Sequence, residues 1–300
     1  MSQRFLSIGE CMVEMSPQLS GDYALNFAGD TLNTAWYLRQ AAGDELEVAY
    51  LSAVGDDILS QRMTDFIRSS GITPEISVIP GHTVGLYMIS LHEGERSFQY
   101  WRSASAARCL AQNLQPLAAL VKGDMAYFSG ITVAILSAAD RELLLQALAD
   151  ARKRGVTVVF DTNLRPRLWV DADEMRHWTM QAAAVADIAL PSFDDEAAIF
   201  GDADRSATLA RYRAAGVGNV VVKNGPGPVL FQTEQGAEAE FTPEVNPAPV
   251  DTTAAGDSFN AAFLAAYLRG EDRRSAVAAG CALSYFVVSH KGALVQPEGV

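Results

Sequence analysis

At residues 251–270, DTTAAGDSFNAAFLAAYLRG, an Asp, a run of small residues and a second Asp lead straight into an amphipathic helix. Phe259, Ala262, Phe263, Ala266 and Tyr267 recur at helical spacing and Gly270 is a stop, so the helix is expected to begin near Asp257. The first N–H groups of such a helix lack intrahelical partners, and those of Ala254, Ala255, Gly256 and Asp257 lie at the positive end of its dipole. No bulky side chain blocks them, and the junction reads as an anion site suited to phosphate. Asp257 would repel a resting phosphate, yet it could take the proton from a hydroxyl attacking that phosphate. The combination points to phosphoryl transfer. Taken alone, A-A-G-D has a competing reading, an N-capping Asp on a buried helix.

Other polar residues stand where elements begin or end. Gly29 and Asp30 precede TLNTAWYLRQ, a predicted helix capped by Asp30 or Thr31. Gly29 allows close backbone approach, and Asp30 and Asn33 could hydrogen-bond hydroxyls. Residues 83–91, TVGLYMISL, and 96–102, RSFQYWR, are strand-like runs joined by His92-Glu93-Gly94-Glu95, a β-hairpin with no covering helix. Period two places Phe98, Tyr100 and Arg102 on one face. An Arg fork matches a carboxylate bidentately; a solvated edge residue is the alternative reading of Arg102. Tyr87 could stack on a ligand or fill a core. Arg165 follows a strand ending at Asp161, where open α/β sheets place their ligand crevice. In PSFDDEAA at 191–198, Asp194, Asp195 and Glu196 could simply be favourable charges in the first turn of a helix.

The ordered motifs GECMVEM at 9–15, FAGDTLNTA at 27–35, YWR at 100–102, DTNLRPRLW at 161–169 and DTTAAGDSF at 251–259 resemble the ribokinase-like (PfkB) sugar kinases over essentially the whole chain. In that family the last Asp of D-T-x-G-A-G-D is the catalytic base and the preceding amides form the anion hole. Ala254 stands where the family usually has Gly, and its methyl group disfavours positive φ. The T-A-A-G-D wording is most similar to the branch that phosphorylates 2-keto-3-deoxygluconate at its 6-hydroxyl. The resemblance implies a ribokinase-like α/β fold, with a mostly parallel sheet flanked by helices and a small β-sheet lid over the sugar. It implies ATP and Mg²⁺ as well. By the same resemblance Gly29, Asp30, Asn33, Tyr87, Tyr100, Arg102 and Arg165 would meet a sugar acid, and Ser192, Lys223, Gly225, Gly227, Ala254, Ala255 and Gly256 would meet the nucleotide. Ser192 and Asp195 occupy the family's N-x-x-E positions, which organise water around Mg²⁺. Asp251 and Thr253 would belong to a monovalent-cation site for K⁺, a helix cap being the other reading of Asp251; Gly292 and Ala293 would flank the adenine and cation region.

To position these residues the chain alternates short apolar runs with helical patterns, the mark of a parallel sheet covered on both faces. Strands are expected near Phe5–Ile8, Val48–Ala53, Met125–Ser129, Thr157–Phe160, Ile188–Leu190 and Val220–Lys223, with helices from Ile58 towards Gly71 and from Asp140 to Arg154. Residues 1–300 read as one domain whose lid is formed by segments at about 11–28 and 82–104. The large side chains of the lid call for burial against substrate or a second subunit, and the resemblance implies a homo-oligomer through the lid.

A formal charge of −13 argues against nucleic acid or an anionic membrane as the main partner. Three widely spaced cysteines without CxxC fit packing roles in a reducing, cytoplasmic compartment. The N-terminal apolar run is too short for a signal-peptide core, and no stretch approaches a membrane span. The first strand lacks the following G-x-G-x-x-G of a nicotinamide enzyme. A fructokinase or other neutral-sugar kinase is the main alternative to a sugar-acid kinase, and a non-catalytic sugar-binding regulator is the alternative from another class.

Overall fold

The computed structural model describes residues 3–18, 20–43, 46–92 and 95–296. Its strands are β1 (Gln3–Ile8), β2 (Met12–Pro17), β3 (Tyr23–Ala28), β4 (Leu46–Val54), β5 (Thr73–Val78), β6 (Gly85–His92), β7 (Glu95–Trp101), β8 (Met125–Ser129), β9 (Thr157–Asp161), β10 (Ile188–Ala189), β11 (Asn219–Val222), β12 (Val229–Gln232) and β13 (Glu238–Phe241). The helices are α1 (Asp30–Ala42), α2 (Ile58–Ser69), α3 (Gln115–Ala118), α4 (Gly130–Ile135), α5 (Ala138–Lys153), α6 (Ala172–Ala184), α7 (Phe193–Phe200), α8 (Arg205–Ala214), α9 (Ala255–Leu268) and α10 (Arg273–Val288).

A nine-stranded sheet runs in the order β13-β12-β11-β10-β9-β8-β1-β4-β5. Every pair from β11 to β5 is parallel; β12 and β13 extend one edge antiparallel. All six expected strands are present. The additional strands at the two sheet edges, β5 and β13, are more exposed, which weakens the apolar signal that marks a central parallel strand; β12, between β11 and β13, is buried but only four residues long.

Alternation along the central strands sends side chains to two cores. Phe5, Tyr127 and Val159 pack with Leu32 of α1, Ile67 of α2, Phe263 of α9 and Val277 of α10. Leu6, Phe128 and Phe160 pack on the other face with Leu144 and Leu148 of α5, Ala182 of α6 and Leu209 of α8. Phe128 and Phe160 are wholly buried and stack with centroids 4.9 Å apart. Burial of each such side chain contributes roughly 1.5–3 kcal/mol. The expected amphipathic helix at 255–268 is in fact buried nearly all round, with every residue from Ser258 to Ala266 in the interior. Its apolar periodicity was real, but the small Ala residues between the aromatics are packed too.

β3-β2-β6-β7 form a separate four-stranded sheet. Glu14 pairs with Tyr87 and Tyr87 with Tyr100, placing these three on one face. On the opposite face Phe27 packs against Phe66 of α2, centroids 5.6 Å apart. Glu93 and Gly94 of the expected hairpin turn lie outside the described residues. No helix among the described residues is long and apolar enough to cross a membrane.

Candidate active site

The α9 start brings the signature together. Ala254 is the N-cap and sits at φ 59°, a left-handed conformation that its methyl group makes costly relative to Gly. The Ala255 amide donates to the Thr252 carbonyl at 3.2 Å, so it is not the open anion donor the sequence led us to expect. Gly256 and Asp257 occupy the remaining first-turn positions, where helix amides face an anion. Asp257 is partly exposed and accepts a hydrogen bond from Asn33 Nδ2 at 2.8 Å through its Oδ2. Desolvation first, then the nearby Asp30 and Asp161 carboxylates, push its pKa up to about 7, against the lowering effect of Asn33 and Lys223. A carboxylate poised near neutrality can accept a proton from an alcohol at physiological pH. It does not cap α9, since the N-cap is Ala254 and has no side-chain hydrogen bond.

The α1 start faces Asp257. Gly29, not Asp30 or Thr31, is the N-cap, and no side chain caps the helix. Asp30 Oδ2 instead accepts from Asn163 Nδ2 at 2.7 Å, and the Thr31 hydroxyl pairs with Tyr50. Burial raises the Asp30 pKa above the ordinary Asp value, against its hydrogen bonds. Gly29 is required by contact: a Cβ there would lie 2.2 Å from the Glu10 carbonyl oxygen. Asn33 Oδ1 accepts from the Gly29 amide at 3.3 Å while its Nδ2 holds Asp257, so one amide side chain links the two helix starts.

The four-stranded sheet brings Tyr87 and Tyr100 to within 5.9 Å of each other, ring centroid to ring centroid, with Tyr87 buried and its hydroxyl donating to Glu14 Oε2. Tyr87 is therefore a supporting core residue whose hydroxyl is already engaged. Arg102 lies just beyond β7, with its guanidinium 6.0 Å from the Tyr100 ring and its Nη2 donating to Glu10 Oε2. The side chains of this ion pair are 10% and 0% exposed, so Arg102 is no solvated edge residue. Glu10 Oε1 and Arg102 Nε have no hydrogen-bond partner among the described residues. Desolvation raises the Glu10 pKa despite the Arg102 charge. Arg165 is half exposed, 3.8 Å from Asp195 Oδ2.

Beside the start of α9 a cavity of about 420 Å³ is lined by Ser192, Lys223, Gly225, Ala255, Gly256 and Tyr285 among others, and not by Asp257. Gly225 takes φ 50°, a left-handed conformation that favours Gly at this turn. Gly227 closes the turn by donating to the Asn224 carbonyl at 2.7 Å and is not among the lining residues. Cys281, expected only to pack, is on the cavity wall, its thiol pushed up to about 11 by burial. A larger cavity of about 740 Å³ lies between the four-stranded sheet, α1, α2 and the 291–296 segment. Asp251, Thr253, Gly292 and Ala293 line it together, so Gly292 and Ala293 lie beside the pair expected at the cation site and off the smaller cavity.

A model of the pfkB family of carbohydrate kinases matches residues 3–298. The chain belongs to this family. A 2-dehydro-3-deoxygluconokinase from Haemophilus influenzae is 39% identical over 300 residues, covering 98% of this chain and 96% of that protein. One from Escherichia coli K12 is 37% identical over 308 residues, covering 100% and 99%. The fold of a Vibrio cholerae fructokinase solved with fructose, ADP and calcium ion is similar with a TM-score of 0.84, at 23% identity and covering 97% of this chain and 94% of that one.

In this pfkB kinase the acidic start of α7 divides into different roles. Glu196 is buried and held by Arg211 at 2.8 Å and by the Tyr212 hydroxyl at 3.0 Å, a structural arrangement. Asp195 remains partly open beside Arg165, with its pKa raised by burial. Asp251 does not cap α9. Its Oδ1 accepts from the Thr253 amide and hydroxyl at 3.0 and 2.7 Å, and its Oδ2 from the Gly292 amide at 2.7 Å, tying the signature turn to the C-terminal segment. Sequence reasoning missed Glu10, Asn163, Tyr127 and Asn260. Asn260 had a usable signal, since its spacing of three from Asp257 puts both on one side of α9.

Proposed function

We propose that this kinase transfers the γ-phosphoryl group of ATP to the 6-hydroxyl of 2-keto-3-deoxygluconate. The observation that carries the reading is the place of Asp257, between the Asn33 side chain and the helix start that lines the 420 Å³ cavity. The full-length relatives at 37–39% identity name the substrate. The nucleotide occupies the cavity, with Ser192, Lys223, Gly225, Ala255 and Gly256 around it. Asp30 and Asn33 hold sugar hydroxyls beside Gly29, Tyr100 closes over the ring, and Arg102 and Arg165 meet the carboxylate. The 6-hydroxyl oxygen attacks phosphorus, its proton passes to Asp257, and the electron pair of the breaking bond goes to ADP. Catalysis here is mostly positioning and charge stabilisation.

Mg²⁺ when bound neutralises phosphate charge. Asp195 fits a water-mediated role, because it is a partly open carboxylate next to the cavity-lining Ser192. Asp251 and Thr253 offer only oxygen ligands, which suits K⁺. The same reading treats residues 1–300 as one unit with an inserted lid. Trp101, on the opposite face of β7 from Tyr100, is 55% exposed, and a second copy across the lid would cover it. Sedimentation should then give a dimer that Trp101→Lys weakens.

One observation favours a neutral-sugar kinase: Arg102 is already paired with Glu10. An ADP-release screen over neutral sugars, aldonic acids and keto-deoxy acids separates the readings. The highest kcat/KM is expected with 2-keto-3-deoxygluconate and much lower values with fructose. Equal turnover of fructose or ribose overturns the substrate and leaves the kinase; no ADP release with any sugar favours a non-catalytic binder.

A further inference from the structure

Lys223 is fixed at both backbone atoms before its side chain does anything. Its amide donates to the Pro191 carbonyl and its carbonyl accepts from the Phe193 amide, each at 2.8 Å, which holds it directly after β11. From there the side chain runs under the start of α9. Its Nζ lies 3.1 Å from Asp161 Oδ1 and 3.1 Å from Asn260 Oδ1. Asp161 Oδ2 accepts from the Tyr127 hydroxyl at 3.4 Å, and Asn260 Nδ2 donates to that hydroxyl at 3.0 Å. The four side chains therefore close a ring, and Thr34 braces it by donating to Tyr127 at 3.2 Å. An ammonium has three donors, and the ring uses two.

The third side of the ammonium is toward the anion site. A Cβ at Gly256 would stand 3.5 Å from Nζ, so the charge sits directly beneath the amide turn at the start of α9. Lys223 also lines the 420 Å³ cavity although it is only 8% exposed. A buried ion pair adds little stability over well-packed apolar residues of the same volume, so structure alone does not call for Lys here. A fixed cation beside a site of developing phosphate charge does have a use.

We infer that Lys223 is a second catalytic residue, whose ammonium neutralises the phosphoryl group in flight, and that Asp161, Asn260 and Tyr127 are the residues that position it. The inference rests on the kinase reading of the cavity. In the transfer step the bond from the sugar oxygen to the γ-phosphorus forms, and the bond from that phosphorus to the β-bridging oxygen breaks. The electron pair stays on ADP, the hydroxyl proton goes to Asp257, and Lys223 keeps its own protons throughout. Its charge has a second consequence, since it also favours the ionised form of Asp257.

The test compares wild type, Lys223→Met and the double variant Lys223→Met/Asp161→Asn, which removes the opposite charge as well. Each is assayed with the best sugar from the ADP-release screen. Lys223→Met is expected to lose roughly tenfold to a hundredfold in kcat, with sugar KM nearly unchanged. Its kcat/KM should reach the plateau at higher pH than wild type, because Asp257 loses a cation that favours its ionisation. The double variant should recover thermal stability and remain slow, which keeps the test valid if the single variant folds poorly. A folded single variant with wild-type kcat, or a double variant that regains both stability and kcat, overturns the inference. A wild type that releases no ADP with any sugar overturns the kinase reading and this inference with it, whereas an active wild type beside an active Lys223→Met overturns this inference alone.

Discussion

Asp257→Asn is expected to lower kcat roughly 10²-fold to 10⁴-fold while leaving sugar and nucleotide affinity nearly unchanged, because the amide keeps its place beside Asn33 but cannot accept the proton. Single-turnover assays and binding calorimetry on the folded variant check it. Unaltered kcat would show that Asp257 is not the base. The raised pKa of about 7 adds two expectations. Wild-type kcat/KM should rise with pH through about 7 as the carboxylate ionises, and the variant should lack that limb. Stability should move the other way. Between the ordinary Asp value of 3.8 and about 7 the folded chain holds a proton that the unfolded chain has released, so stability falls as pH rises through this window. Asp257→Asn removes that penalty, and its melting temperature should exceed that of wild type at pH 8, the gap closing toward pH 4. The base would then be a case of stability given up for function.

What could be read in advance divides along physical lines. The parallel core was legible because β1, β8 and β9 are buried on both faces and spell apolar runs, and because Gly stops end the helices between them. The α9 junction was legible because phosphate chemistry needs small residues and a helix start in sequence. What escaped were contacts between residues far apart in the chain. Nothing local says that Asn33 reaches Asp257, 224 residues away, or that Asp30 turns from its helix to Asn163. Glu10 reads as one letter of a strand end until the small sheet folds back and sets Arg102 on it. Asp195 and Glu196 are neighbours in sequence with the same chemistry, yet one remains partly open and the other is clamped by Arg211 and Tyr212 of α8, an element the local sequence does not announce.

The Glu10 pair decides how the carboxylate assignment must be tested. Arg102→Ala should raise KM for the keto acid roughly tenfold to a hundredfold, since a charge-assisted hydrogen bond is worth about 1.5–3 kcal/mol, and should leave KM for ATP nearly unchanged. Truncation also strands Glu10, which is fully buried, and removing one partner of such a pair costs about 3–5 kcal/mol of stability. Burial already favours its protonation, so the stranded carboxyl should take up a proton. Arg102→Ala/Glu10→Gln removes that complication and should be the more stable of the two. If Arg102 reads the substrate carboxylate, both variants lose the acid substrate and keep kcat/KM for a neutral sugar that wild type accepts weakly, so the preference for acid narrows. Arg102→Lys should recover part of the loss, having the charge without the planar fork. If both variants instead lose acid and neutral sugars in equal proportion, Arg102 fastens the small sheet to Glu10 and the carboxylate is left to Arg165, whose side chain is half exposed.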